Sequence, residues 1–209
     1  MKTDFLKYYH PSVVVVLSIA VAGALVFLKE HFAVSLSILG ITTLTLTSIA
    51  SFTWKREWLK KVFILLFWVD DFSGRYEGYL DYQYRDDNGE LHKGRLKHVK
   101  IINQSGSRIT VFSFNIKDDG TKSSVSVSKG LDVSKTEDGH HFRITYFYQN
   151  DGCSERGFPP HNGTEVIKFI KRKNNKQLTG GYYTDRQPFQ TKGEIKDLKW
   201  VSNELNHDF

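Results

Sequence analysis

The chain has 209 residues with a single cysteine, 29 Lys+Arg against 23 Asp+Glu, and a net charge of +6. One thiol excludes an internal disulfide framework, and the basic excess favours anionic partners: lipid headgroups, nucleic acid or nucleotides. A mean hydropathy of -0.38 would suit an ordinary soluble protein, but it averages an apolar first quarter with a strongly polar remainder.

Residues 8–28 and 32–54 contain no Asp, Glu, Lys or Arg and are parted only by Lys29, Glu30 and His31. About 20 apolar residues are needed for a helix to cross the hydrocarbon layer. The spacing therefore predicts a two-helix transmembrane hairpin over 1–54, with its turn at residues 29–31. Lys2 and Lys7 precede the first span, and Lys55, Arg56, Lys60 and Lys61 follow the second. The positive-inside rule then places both termini in the cytoplasm, with Trp54 and Trp58 in the interfacial belt. Gly40, Thr43, Thr47 and Ser51 recur at helical spacing and form a small-residue stripe suited to close helix contact, within one hairpin or between neighbouring copies. Residues 55–69 form a connector, predicted as a helix because Trp58, Val62, Leu65 and Val69 share one helical face; the run 62–69 also reads as a buried strand.

From Asp70 onward the period becomes two. Strands are expected at 74–85, 90–102, 108–116, 123–133, 140–148, 164–171, 178–184 and 194–201, with a longer loop at 149–163. Asn88-Gly89, Gly106, Gly120 and Gly139 mark the turns. The fold class is all-β: a roughly eight-stranded up-and-down β-barrel over 70–209, preceded by the membrane hairpin. Charge on its outer face argues against a porin-like barrel.

Chemistry is sparse. His140 and His141 are adjacent on a strand and point to opposite faces; His92, His98 and His161 lack ligand spacing, and Cys153 has no partner. No metal or catalytic residue is expected, and no nucleophile-elbow or phosphate-loop motif is present. Asp185 with Arg186, and Glu155 with Arg156, read as solvated loop charges. A ligand pocket has more support. Arg75 and Tyr76 lie between Gly74 and Gly78, and Gly180-Gly181 runs into Tyr182, Tyr183, Thr184, Asp185 and Arg186. Aromatic faces stack on bases and guanidinium forks grip phosphates. The candidate ligand contacts are Arg75, Tyr76, Tyr182, Tyr183, Thr184 and Arg186.

Two spans, a linker, the segment from Asp71 to Gly78, an all-β body, the segment from Thr179 to Arg186, and Thr191 to Ile195 follow in that order. This arrangement resembles the SMODS-associating two-transmembrane, β-strand-rich effectors of CBASS anti-phage defence. The resemblance implies a cytoplasmic barrel that binds a cyclic dinucleotide made by a partner nucleotidyltransferase, with no other cofactor and no DNA or RNA polymer as partner. It also implies a homo-oligomer on activation and disruption of the bacterial inner membrane, ending in abortive infection. Two other readings stand beside it: a tethered lipocalin-like carrier, which needs a largely apolar lumen, and a membrane-bound hydrolase, which needs a convergent His and carboxylate cluster. The polar stretch 123–128 disfavours the carrier.

Overall fold

The computed structural model describes residues 7–32, 48, 64–117, 119–153, 159–173, 175–187 and 189–206. It divides into one unit of Met1–Asp71 with Gln104–Arg108 and a second of Phe72–Asn103 with Ile109–Phe209.

In the first unit, helix α1 runs Pro11–Phe32. Proline suits the first helical position, where no N–H partner is needed. Twenty-two residues at ~1.5 Å each span about 33 Å, enough for the hydrocarbon layer. Val15, Val16, Ile19 and Phe27 are exposed on this helix, as side chains facing lipid would be. The turn expected at 29–31 is instead the last turn of the helix. Lys29 and His31 lie near its C-terminal carbonyls, and His31 Nδ1 contacts the Phe27 carbonyl at 2.9 Å, with the two rings stacked. Charged residues end the apolar run without ending the helix, because Lys and Glu are good helix formers.

The second predicted span, with its small-residue stripe, lies outside the described residues except for Phe32 and Ser48, which are both helical. Residues 55–63 of the connector also lie outside them. Its last part departs from the expected helix: a single 3-10 turn, Ile64–Leu66, gives way to an antiparallel bridge between Tyr9 and Phe67. His10 N–H donates to the Leu66 carbonyl and Trp68 N–H to that of Tyr8. The aromatic pairs Tyr9–Phe67 and Tyr8–Trp68 pack at 4.2 and 5.6 Å between ring centroids, so this segment is held by pairing with residues 8–10 and not by helical hydrogen bonds.

The second unit is a closed barrel of eight antiparallel strands in sequence order. They are β1 Gly74–Arg85, β2 Leu91–Ser105, β3 Arg108–Ile116, β4 Lys122–Lys135, β5 Phe142–Asn150, β6 His161–Arg172, β7 Asn175–Thr184 and β8 Thr191–Ser202. β8 pairs back onto β1, so no edge is left open. β1 and β3 have the predicted bounds. Strands β6, β7 and β8 begin three residues early, because polar residues such as His161 and Asn162 still pair in the ladder with Asn150 and Gln149. The β1–β2 turn is fixed by Asp86, whose Oδ1 accepts the N–H groups of Asn88 and Glu90, and by Gly89 at φ 78°.

One end of the lumen is filled. Phe72 meets Phe169 and Phe142 edge-on at 4.8 and 5.5 Å, among fully buried Ile144, Ile167, Leu178 and Leu198. Strand alternation sends Val99, Ile101, Phe114 and Ile116 into a separate buried cluster. Their neighbours His98, Lys100, Ser113 and Asn115 therefore face the lumen.

On the outside, Asp81 of β1 binds Arg95 of β2 through two bonds of 2.5 and 2.9 Å and Lys196 of β8 at 3.0 Å. These bonds hold its carboxyl well below the usual carboxylate range. A depressed pKa stabilises the fold above the unfolded value of about 3.9, and that contribution is lost progressively as pH falls from there through the lower folded value. Unfolding stability should therefore decline from about pH 4 downward, and the Asp81→Asn variant should show a flatter acid limb. Equal acid slopes for the two proteins in chemical denaturation would refute this.

Candidate functional site

The other end of the barrel, which carries the β1–β2, β3–β4, β5–β6 and β7–β8 turns, holds a cavity of about 190 Å³. It owes its space to glycine. Tyr82 pairs with Gly94, Tyr148 with Gly163 and Tyr182 with Gly193 on the neighbouring strand. A Cβ at Gly94 would lie 2.4 Å from the Tyr82 ring, and one at Gly163 or Gly193 would come equally close to Tyr148 or Tyr182. Each ring lies flat across the backbone of the next strand and leaves the lumen clear. Gly94→Ala is the cleanest test, since its three nearest obstacles are all atoms of the Tyr82 side chain. The displaced ring should enter the cavity and cost about 1–3 kcal/mol of stability. Ligand affinity should fall at least tenfold (~1.4 kcal/mol) in calorimetric titration; unchanged affinity would rule out this view of the cavity.

The lining is mixed. Leu80 and Leu96 supply apolar surface, while Ser113, Asn115, Ser124, Asn150 and Glu165 supply hydrogen-bonding groups. Beneath them Lys100 is fully buried, 2.7 Å from Glu165, 2.6 Å from Ser113 Oγ and 3.2 Å from the Tyr146 hydroxyl. Burial pushes the Lys100 ammonium down, and its ion pair with Glu165 opposes that shift. Burial, reinforced by Glu165, raises the Tyr146, Tyr148 and Tyr182 hydroxyls, which stay protonated as donors.

At the rim the sign of charge changes. Arg186 lies with its guanidinium carbon 5.6 Å from the Tyr84 ring centroid, and its Nε donates to the Phe189 carbonyl at 3.2 Å. Tyr84 is stacked in turn against Phe189 and His92. Among the described residues lining the cavity, Arg186 is the one arginine. The site combines a polar, net-neutral interior with an aromatic, cationic rim, which suits a ligand whose flat parts go inward and whose anionic parts stay outside.

Three of the six residues singled out from sequence come together here: Tyr182, Thr184 and Arg186 line the cavity. Tyr76 does not; it is fully buried at the filled end, donating its hydroxyl to the Phe72 carbonyl at 2.7 Å. Arg75 pairs with Glu77 at 2.7 Å, and Tyr183 points outward, 60% exposed. Period two explains the split, since Tyr182 and Thr184 share a face that Tyr183 cannot.

Sequence reasoning missed Tyr82, Tyr84, Tyr148, His98, Asn115 and Glu165 as lining residues. Their signal was the alternation Phe112-Ser113-Phe114-Asn115-Ile116, in which the polar set, not the apolar one, faces inward. Asp86, Glu90 and His92, the last set aside on spacing, do gather at the β1–β2 turn. Asp86 is already engaged there, by two backbone N–H groups and by His92 Nε2 at 2.8 Å.

The family model described as "Cap15, cyclic dinucleotide receptor domain" matches residues 67–199, well over half of the chain. The chain belongs to the Cap15 family. Its barrel is thus a cyclic dinucleotide receptor domain of CBASS defence, a class of receptors and effectors with no known catalysis. No curated protein matches the chain. The Cap15 match begins at Phe67, the bridge residue that pairs with Tyr9, and ends within β8.

Proposed function

We propose that the protein is a membrane-anchored effector. Its barrel cavity takes a cyclic dinucleotide made by a partner nucleotidyltransferase, with a base inward and the phosphates at the Arg186 rim. Tyr182 and Thr184 contact the ligand from β7, while Arg75, Tyr76 and Tyr183 shape the barrel around it. Binding favours a homo-oligomer whose two amino-terminal spans disrupt the bacterial inner membrane, with both termini and the barrel cytoplasmic. The supporting observation is the arginine and tyrosine rim over a polar cavity, in a chain of the Cap15 family. A helix long and apolar enough to cross a membrane supports the anchor.

The lipocalin-like carrier fares worse. Its lumen would be apolar, whereas Ser113, Asn115, Asn150 and Glu165 line this one. Calorimetric titration of the full chain in mild detergent against cyclic di- and trinucleotides tests the proposal. One member should bind at one per protomer, and fatty acids should not; failure of the whole nucleotide panel would sink it.

A further inference from the structure

The cavity wall contains a chain of hydrogen bonds that ends on an unmet acceptor. The Gly152 N–H donates to Asn150 Oδ1 at 2.8 Å, which turns the Asn150 amide nitrogen toward Ser126 Oγ at 2.7 Å and Ser124 Oγ at 3.4 Å. Asn115 likewise gives its amide nitrogen to Ser124 Oγ at 3.1 Å, so its oxygen faces His98 Nδ1 at 2.7 Å. An acceptor opposite Nδ1 requires the imidazole proton to sit there. His98 is 3% exposed, and burial together with the Lys100 charge holds its pKa well below the usual imidazole range. The ring is therefore neutral at pH 7, and Nε2 carries a lone pair. Nε2 is buried and has no hydrogen-bond partner among the described residues, although the ring lines the cavity. Buried polar atoms are rarely left so, and this one belongs to a ring in the cavity wall, where an entering donor would meet it.

We propose that His98 is a specificity-determining residue that reads the ligand's base, its Nε2 accepting a hydrogen bond from an N–H on the edge of a nucleobase seated in the cavity. This rests on the nucleotide reading above. The base edge is the part of a nucleotide farthest from its phosphates, and the phosphates are drawn to Arg186 at the rim. Glu165, ion-paired with Lys100, also accepts only and lines the same cavity. These two acceptors favour a donor-bearing edge, an amino or imino group, over one that offers only lone pairs, while the Tyr148 and Tyr182 hydroxyls are donors elsewhere in the wall. Gly152, Asn150, Ser124 and Asn115, which also line the cavity, act toward His98 as positioning residues: their hydrogen bonds fix its tautomer.

The test uses the full chain in detergent and cyclic dinucleotides of adenine, guanine, cytosine and uracil. The tightest binder is then compared with its analogue in which the base N–H is replaced by C–H or N–methyl. The analogue should bind the wild type at least about tenfold more weakly, and His98→Phe should bind both alike. Asn115→Asp places a carboxylate on Nδ1, favours the doubly protonated ring and makes Nε2 a donor, so the preference for the N–H ligand should be lost. Nitrogen NMR on 15N-histidine protein should show Nδ1 protonated and Nε2 bare without ligand, which checks the geometry even where a variant fails to fold. Binding of a cyclic dinucleotide with the same base selectivity in wild type and His98→Phe, or an Nε2-protonated ring, would overturn the inference and leave the receptor reading intact. No binding by any of the four would defeat both.

Discussion

Replacing Lys100 with methionine should cost the barrel about 3–5 kcal/mol, the range for breaking a buried ion pair. Lys100 is fully buried and Glu165 nearly so, with 2.7 Å between their charges. Removing the ammonium leaves a carboxylate in the interior without its counter-charge, and strips Ser113 and Tyr146 of their shared donor. The pair itself contributes far less than that loss suggests, because two ions were taken out of water to make it. The Lys100→Met, Glu165→Leu double variant should therefore recover part of the stability, short of the Ser113 and Tyr146 hydroxyls, which cost about 1–3 kcal/mol each where left unmet. Urea denaturation in mild detergent, followed by far-ultraviolet circular dichroism, reads both changes. If the double variant is as unstable as the single one, the charge account is wrong and lost packing explains the effect. The pair has a consequence for binding as well. With Lys100 fully engaged beneath the cavity, the arginine among the described lining residues that can meet the anionic part of a ligand is Arg186.

The barrel was legible from sequence because period two, broken at Asn88-Gly89, Gly106, Gly120 and Gly139, leaves few other folds open. Those four turns mark off the first five strands, and the longer loop at 149–163 with the alternating segments after it gave the other three. The cavity was less legible. Finding Tyr182, Thr184 and Arg186 required only the glycine-aromatic segment at the end of β7. Tyr82 and Tyr148 required knowing which glycines they face across the sheet, Gly94 and Gly163, and register is not written in any one strand. His98 and Lys100 were hidden by a convention: polar residues on an alternating strand are assumed to face water. In β2 and β3 the polar set faces a lumen, and the apolar set forms the Val99–Phe114 cluster instead. Tyr76 misled for the opposite reason. Its flanking glycines, Gly74 and Gly78, give way to Trp200 and Leu198, not to a ligand.

Reconstituted in vesicles of anionic lipid, the full protein should release an entrapped dye when a cyclic dinucleotide is added and hold it otherwise. A switch that moves from 1:99 to 99:1 needs a ligand that distinguishes the two states by about 5.5 kcal/mol. Several protomers of an oligomer can share that sum, so no single site must supply it. Arg186→Ala removes charge-assisted hydrogen bonds to phosphate, each contributing about 1.5–3 kcal/mol. Its dose–response midpoint should move up by about ten- to a hundredfold, with the same maximal release. Ile19→Asp acts at the other end of the mechanism. Ile19 is exposed on α1, well inside Pro11–Phe32, where a carboxylate costs about 2.5–3.5 kcal/mol of insertion. That variant should bind ligand with wild-type affinity and release no dye at any concentration. One variant thus shifts the curve and the other lowers it to zero, a separation expected only if sensing and membrane damage are distinct steps joined by the ligand. Dye release without ligand, or wild-type release from Ile19→Asp, would break that chain of cause: the barrel would then not govern the helix, and the helix would not be what injures the membrane.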